Sequence, residues 1–153
     1  MALKTPHRPR LFIDADVLFA GAAAPTEQGA SLVILRLAEI TLIEAITSEQ
    51  VIVEAQRNLV VKFPAALPAF QLLVNRCLRV VPSPESQDLV PYRGLANEKD
   101  LPILVAALQT RCEWLVSFNI RHFQPGHPDI RVLKPGEVLL RVRELLSGLP
   151  GRD

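Results

Sequence analysis

Two carboxylates interrupt an apolar stretch near the start of the chain. Asp14 and Asp16 separate the apolar residues 11–13 from 17–19, so Asp14 ends what we predict to be a buried strand over residues 11–14. In open parallel sheets the carboxyl ends of the strands form the ligand crevice, and a charge buried there is costly unless a partner compensates for it. The pattern therefore predicts that these acidic groups hold a cation or act on a phosphate.

Further polar side chains stand at the ends of other predicted elements. Glu54 lies in a helix that Ser48 would cap, Asp100 precedes a helix with Pro102 in its first turn, and Asn119 follows a predicted strand. Each has a structural explanation, since Glu54 fits a solvent-facing helix surface and Asp100 and Asn119 are good N-caps. Taken alone, none of them indicates a function.

The positions of these residues depend on alternating strands and helices. We predict strands at residues 11–14, 42–47, 78–81, 114–118 and 130–133. We predict helices at about residues 28–40, 49–62, 64–76, 101–111 and 136–146, with loops at 21–26 and 83–99. This alternation implies a parallel sheet covered on both faces.

The composition favours one domain with a sizeable core. The chain has 153 residues, of which 49% are hydrophobic, and at this size about 70% of the unfolded surface can be buried. We expect a single domain over residues 1–153, with its core at about 10–146 and flexible ends. The net charge of +1 argues against an acidic tail and against the broad basic face of a tight duplex binder, so any contact with nucleic acid must be local.

Cysteine use and hydropathy indicate a protein of the reducing cytoplasm. Cys77 and Cys112 lie far apart, outside any metal-binding pattern, and we expect both to be buried and reduced. Asp14 and Asp16 break the apolar stretch that follows the basic start of the chain, which excludes a signal-peptide core. No apolar run approaches about 18 residues, so we expect a soluble cytoplasmic protein without a membrane partner.

Four segments together resemble a known family. Residues 12–18, 48–54, 100–108 and 114–123 are similar, in order and spacing, to the motif blocks of PIN-domain ribonucleases, and the resemblance covers about residues 10–140. It implies a three-layer α/β/α PIN-like fold with a central parallel sheet of about five strands. In that fold the acidic residues meet at the carboxyl edge of the sheet and bind Mg²⁺ or Mn²⁺.

The resemblance also implies a role for each matching residue. Asp14, Glu54 and Asp100 match the acidic residues of the family and are the expected metal ligands, with carboxylates within about 4 to 8 Å of one another. Asn119 stands where many members carry a fourth Asp, and we expect it to border the same pocket. Together these four are the expected catalytic residues.

The chain departs from the family pattern at two further positions. Asp16 replaces a usual Asn, which indicates that a carboxylate has moved rather than been lost, and His122 replaces an acid that one branch often has. Ser117 and Asp16 are auxiliary candidates. The residues that could hold substrate phosphates are the basic ones near the blocks, although each also fits a solvated surface: Arg57, Lys99, Arg121 and His122.

Physical chemistry supports a metal site independently of the family. Two carboxylates about 5 Å apart at an effective dielectric constant near 20 repel by roughly 3 kcal/mol, and a divalent cation removes that penalty. Oxygen ligands without a Cys/His set favour Mg²⁺ or Mn²⁺ over zinc. Such a metal can activate water for attack on a phosphodiester.

The expected function is therefore that of a metal-dependent endoribonuclease. By resemblance, RNA is its substrate, and many relatives of this length are VapC-type toxins inhibited by a small antitoxin protein. The resemblance also implies a homodimer. The main alternative is a PIN-like module that binds RNA or protein after losing cleavage. A second alternative is a haloacid-dehalogenase-like phosphohydrolase using Thr47 or Ser48 and Lys62. This sequence lacks the late acidic pair of that family.

Overall fold

A parallel five-stranded sheet forms the centre of the computed structural model, which describes residues 8–24 and 29–148. The strands are β1 (Arg10–Ile13), β2 (Glu44–Ser48), β3 (Leu78–Val81), β4 (Trp114–Val116) and β5 (Arg131–Leu133). Their order in the sheet is β3-β2-β1-β4-β5. The chain winds from β1 to β3 on one side and continues from β4 to β5 on the other, so the direction reverses between β1 and β4. Such a reversal creates a crevice at the carboxyl ends of the two strands.

Helices cover the sheet and confirm the expected three-layer α/β/α arrangement. They are α1 (Ala15–Ala22), α2 (Ala30–Glu39), α3 (Glu49–Lys62), α4 (Leu67–Cys77), α5 (Ser86–Leu89), α6 (Leu101–Gln109) and α7 (Pro135–Ser147). Short 3-10 helices occupy Pro64–Ala66, Val90–Tyr92 and Ile120–Phe123.

Burial follows from the position of each strand. Leu11, Phe12 and Ile13 in the central strand are fully buried, as expected for a parallel strand with helices on both faces. In contrast, Val80 on the edge strand β3 is exposed. The core also takes in most of α6, whose residues 103–107 are all buried.

The element boundaries differ from the sequence predictions in several places. Helix α1 was not predicted, and it occupies the start of the region that we expected to be a loop from residue 21. Strand β2 begins at Glu44 rather than residue 42. Thr41 there adopts a left-handed conformation with φ of 65°, and the Leu42 N–H donates to the Leu37 carbonyl, so residues 40–42 form the turn that closes α2.

Two further segments differ from the sequence predictions. Helix α5 and a 3-10 turn occupy part of residues 83–99, where we expected irregular chain, and β4 ends at Val116 rather than residue 118. The predicted start of α2 at residue 28, the loop over 25–26 and the flexible ends at residues 1–7 and 149–153 lie outside the described residues.

Both cysteines are free and buried, as predicted. Burial raises the pKa of the Cys77 and Cys112 thiols to about 11. Within residues 8–24 and 29–148, no helix is long and apolar enough to cross a membrane.

Candidate active site

Asp14 joins the central strand to the first helix. It follows β1 directly, and its backbone N–H donates to the Val116 carbonyl of β4 at 3.0 Å. It is also the N-cap of α1, where its Oδ1 accepts a hydrogen bond from the Ala15 N–H at 2.7 Å. Because Asp14 is only 7% exposed, this carboxylate is held at the reversal point with little access to water.

Ser117 contacts the carboxylates of both Asp14 and Asp16. It follows β4, is fully buried, and donates from Oγ to Asp14 Oδ2 at 2.8 Å. The same Oγ lies 3.3 Å from Asp16 Oδ2 and accepts the Asn119 N–H at 3.0 Å. A hydroxyl has one proton to donate, so the shorter contact to Asp14 takes most of it. We predicted only an auxiliary role for Ser117, whereas in the structure its hydroxyl contacts both acidic groups.

The two oxygens of Asp16 have very different surroundings. Oδ2 accepts from the Phe118 N–H at 3.0 Å and from Asn119 Nδ2 at 3.1 Å, in addition to its contact with Ser117. Oδ1 is buried and is the side-chain oxygen without a hydrogen-bond partner among the described residues. A buried acceptor without a donor is costly, so this oxygen is suited to a ligand.

The electrostatics of the site disfavour ionised carboxylates. Burial is the largest cause that raises the pKa of Asp14, to about 7, and the negative charges of Asp16 and Glu54 add to it. The hydrogen bonds from Ser117 and Ala15 act in the opposite direction. Burial also raises the pKa of Asp16. A cation bound here would offset both the desolvation and the repulsion.

Glu54 lies in the second turn of α3, in a polar groove beside this cluster. It is partly buried, and its charge acts on Asp14. The groove has a volume of about 450 Å³ and is lined by Glu49, Gln50, Val53, Glu54, Arg57, Asn58 and Lys99. Two of the four predicted phosphate-binding residues, Arg57 and Lys99, therefore share a surface with Glu54.

Asp100 contacts a histidine instead of capping its helix. The Asp100 side chain makes no capping hydrogen bond to α6, and its Oδ2 lies 3.3 Å from His122 Nδ1. The Asn97 N–H donates to the His122 carbonyl at 2.8 Å, which holds the segment before α6 against the 3-10 helix. The capping explanation is also wrong for the side chain of Asn119, which donates to Asp16.

The structure does not bring the carboxylates of Asp14, Glu54 and Asp100 together as one metal-binding group. Among residues 8–24 and 29–148, no three His, Cys, Asp or Glu side chains make a group placed to hold a metal ion. Asp14 acts with Asp16, Ser117 and Asn119, whereas Asp100 pairs with His122. The metal-ligand roles of Asp14, Glu54 and Asp100 stay a prediction, as does the phosphate-binding role of Arg121, which is exposed on its 3-10 helix.

The residues proposed for a phosphohydrolase reaction have structural roles. Thr47 is fully buried and donates from Oγ1 to the Ile13 carbonyl at 2.8 Å. Ser48 caps α3 by accepting the Val51 N–H. The Lys62 ammonium lies 5.9 Å from the centre of the Phe19 ring. Each of the three residues therefore has a structural role, which argues against the phosphohydrolase alternative.

Comparison with known proteins identifies the family of the chain and supports its fold. A family model described as PIN domain matches residues 10–121. The crystal structure of VapBC2 from Rickettsia felis, bound to a DNA fragment from the VapBC2 promoter, is similar with a TM-score of 0.62 and 15% identity, covering 82% of this chain and 98% of that chain. VapC20 from Mycobacterium tuberculosis, a sarcin-ricin loop cleaving toxin, gives a TM-score of 0.49 and 16% identity, covering 69% of this chain and 86% of that one. No curated protein matches the chain by sequence.

Proposed function

Because the chain belongs to the PIN-domain family, we propose that it is a divalent-metal-dependent endoribonuclease that hydrolyses RNA phosphodiester bonds. The observation that carries the proposal is the pair of carboxylates at the reversal point between β1 and β4. Asp14 there has a pKa raised to about 7, and Asp16 keeps a buried oxygen without a hydrogen-bond donor. Because burial raises the pKa of both carboxyl groups, cation binding would be coupled to the release of any protons that they hold.

The donor set fits a hard divalent cation. Asp14 and Asp16, which share the Ser117 hydroxyl, would hold the ion first, and Glu54 and Asp100 are its predicted further ligands. All four offer oxygen, which Mg²⁺ and Mn²⁺ prefer. When bound, such an ion supplies an activated water for attack on the phosphodiester and stabilises negative charge on the phosphate oxygens.

The protein's own residues fix the acidic groups. Ser117 orients Asp14 by its 2.8 Å hydrogen bond, while the Phe118 N–H and the Asn119 amide orient Asp16. Since the Asn119 nitrogen is used for Asp16, its amide oxygen is left to accept a hydrogen bond from water or substrate. His122 holds Asp100 at 3.3 Å.

The polar groove provides the proposed path for the RNA backbone. Arg57 and Lys99 line it together with Glu54, so their cations can contact phosphates next to the acidic cluster. Arg121 and His122 lie on the 3-10 helix that follows β4, and we assign them to the phosphates on the other side of the scissile bond.

A cleavage assay tests the proposal directly. The purified protein should cleave RNA in Mg²⁺ or Mn²⁺ and lose the activity on addition of chelator. Asp14→Asn should reduce the rate by at least about 100-fold, whereas Asp129→Asn, at a highly exposed carboxylate, should leave it unchanged. RNA binding without cleavage by the parent protein would favour the binding-module alternative.

We further propose that a small antitoxin protein binds this chain and inhibits it. The support is the likeness to VapBC2. Expression of the chain alone should arrest growth, and coexpression of a short neighbouring reading frame should restore it. The homodimer implied by the family is tested by light scattering of the purified chain.

A further inference from the structure

Phe118 is an exposed aromatic side chain beside the acidic cluster. Among the described residues, two large aromatic side chains are strongly exposed, Phe63 and Phe118, each at 45%. Phe63 follows the carboxyl end of α3, about 21 Å along the helix axis from the sheet edge where α3 begins. Phe118 stands directly between Ser117 and Asn119, at the carboxyl end of β4.

The backbone around Phe118 is held firmly. Its N–H donates to Asp16 Oδ2 at 3.0 Å, the Ser117 N–H donates to the Leu133 carbonyl at 3.0 Å, and the Asn119 N–H donates to Ser117 Oγ at 3.0 Å. In the part of the chain that the structure describes, its ring has no aromatic or cationic partner. A fixed backbone therefore presents an unpartnered ring to solvent next to the proposed catalytic residues.

We propose that Phe118 stacks on an unpaired nucleobase adjacent to the phosphodiester bond that is cleaved. This inference rests on the proposed function and names its substrate class as single-stranded RNA. Every base offers a face for stacking, but bases within a duplex already stack on one another. A ring in this position therefore favours loops, bulges or ends over paired RNA.

The charge of the protein supports stacking as a main source of affinity. A net charge of +1 cannot supply the phosphate contacts that hold a duplex tightly. The groove beside Glu54 contributes two cations, Arg57 and Lys99, and the carboxylates of Glu49 and Glu54 line it as well. Because the groove therefore has no net positive charge, we expect stacking on an exposed aromatic ring to supply much of the affinity for a single strand.

Binding measurements in the Asp14→Asn background, where cleavage is stopped, test the inference. Fluorescence anisotropy in Mg²⁺ would use short labelled homopolymers of adenylate, cytidylate and uridylate, and an adenylate–uridylate duplex. Adding Phe118→Ala should weaken single-strand binding by about 5- to 100-fold, and Phe118→Tyr should retain it. Phe63→Ala, which removes an equally exposed ring elsewhere, should have no effect. In Phe118→Trp, the new indole fluorescence should be quenched by single strands.

The outcomes separate the two proposals. Equal effects of Phe118→Ala and Phe63→Ala, or equally tight binding of the duplex, would overturn the stacking inference while RNA cleavage by the parent protein upheld the nuclease. Loss of binding in Phe118→Ala, with no cleavage by the parent protein, would support the stacking site and reject the nuclease. A parent protein that neither binds nor cleaves RNA would reject both.

Discussion

Asp16 and Asn119 form one hydrogen-bonded unit next to Asp14. The Asn119 amide donates to Asp16 Oδ2 at 3.1 Å. The family pattern that the sequence resembles has Asn at the position of Asp16 and often Asp at the position of Asn119, so the two residue types are exchanged in this chain. The net charge of the two positions is the same in either arrangement. This geometry supports the interpretation that the chain has exchanged a carboxylate between two neighbouring positions.

Exchanging the two side chains tests this unit. Asn119→Asp alone should place two carboxylates in contact, with a repulsion of about 3 kcal/mol without metal, and should destabilise the metal-free protein. Asp16→Asn alone should weaken Mn²⁺ binding. The double variant should recover much of both losses, because one donor and one acceptor face each other again. Calorimetric Mn²⁺ titration and thermal unfolding of all four proteins measure this, and strictly additive effects would contradict a shared site.

The raised pKa of Asp14 predicts a specific pH dependence of stability. Because the folded protein holds its proton up to about pH 7, against an ordinary pKa of 3.8, the folded state binds more protons between these values. The contribution of Asp14 is therefore fully present below pH 3.8 and is lost as the pH rises to about 7. The ionised group then costs the metal-free protein up to about 4 kcal/mol.

Asp14→Asn should remove this dependence. In chelator at pH 4 the variant and the parent should be about equally stable, since Asn also caps α1. At pH 8 the variant should be more stable by at least about 1 kcal/mol. Urea unfolding at both pH values measures the difference, and a loss above about 2 kcal/mol in the variant at pH 8 would mean that the Asp14 carboxylate is mainly structural.

At the scale of elements, most of the fold could be predicted because its signals are local. Strand β3 and helix α3 occur as expected, since Pro82 ends one and Ser48 begins the other. Helix α1 was missed because residues 17–24, which follow Asp16, are all apolar or small and show no repeating polar face, so the sequence there has no helical periodicity. Asp14 itself marks the boundary between β1 and α1 as an N-cap.

The contacts that assemble the site could not be predicted, because they join distant parts of the chain. The hydrogen bonds from Ser117 and Phe118 to the Asp14 and Asp16 carboxylates span about 100 positions. The family pattern identified the acidic residues, but only the pairing of β4 with β1 explains why Ser117 lies between them.

The start of α3 is also capped by a side chain from a distant part of the chain. The Gln50 N–H donates to Ser83 Oγ at 2.9 Å, in the loop after β3, and α3 carries Glu54. Ser83→Ala should lower the free energy of unfolding by about 1 kcal/mol, since one N-terminal N–H of the helix loses its acceptor. Ser86→Ala, at an exposed serine of α5, should change it by less than about 0.5 kcal/mol. Urea unfolding compares them, and equal effects would contradict a capping role.

At the scale of the whole molecule, the parallel sheet has one edge where the strands begin and an opposite edge where they end. All strands are parallel, so Asp14 and Ser117 meet at the carboxyl edge while residues that begin strands lie at the opposite edge. With a net charge of +1, the molecule has no general attraction for RNA. The proposed attraction is instead local to the carboxyl edge.

The salt dependence of RNA binding should reflect this local attraction. Each cation that contacts a single strand contributes about 0.7 to the slope of log K against log salt concentration. Replacing both groove cations, Arg57→Ala with Lys99→Ala, should therefore make the slope shallower by about 1.4. Arg131→Ala removes an exposed cation where β5 begins, at the opposite edge, and should leave the slope unchanged. Titrations in the Asp14→Asn background between about 50 and 200 mM salt would measure both, and an equal change from Arg131→Ala would show that RNA does not select the carboxyl edge.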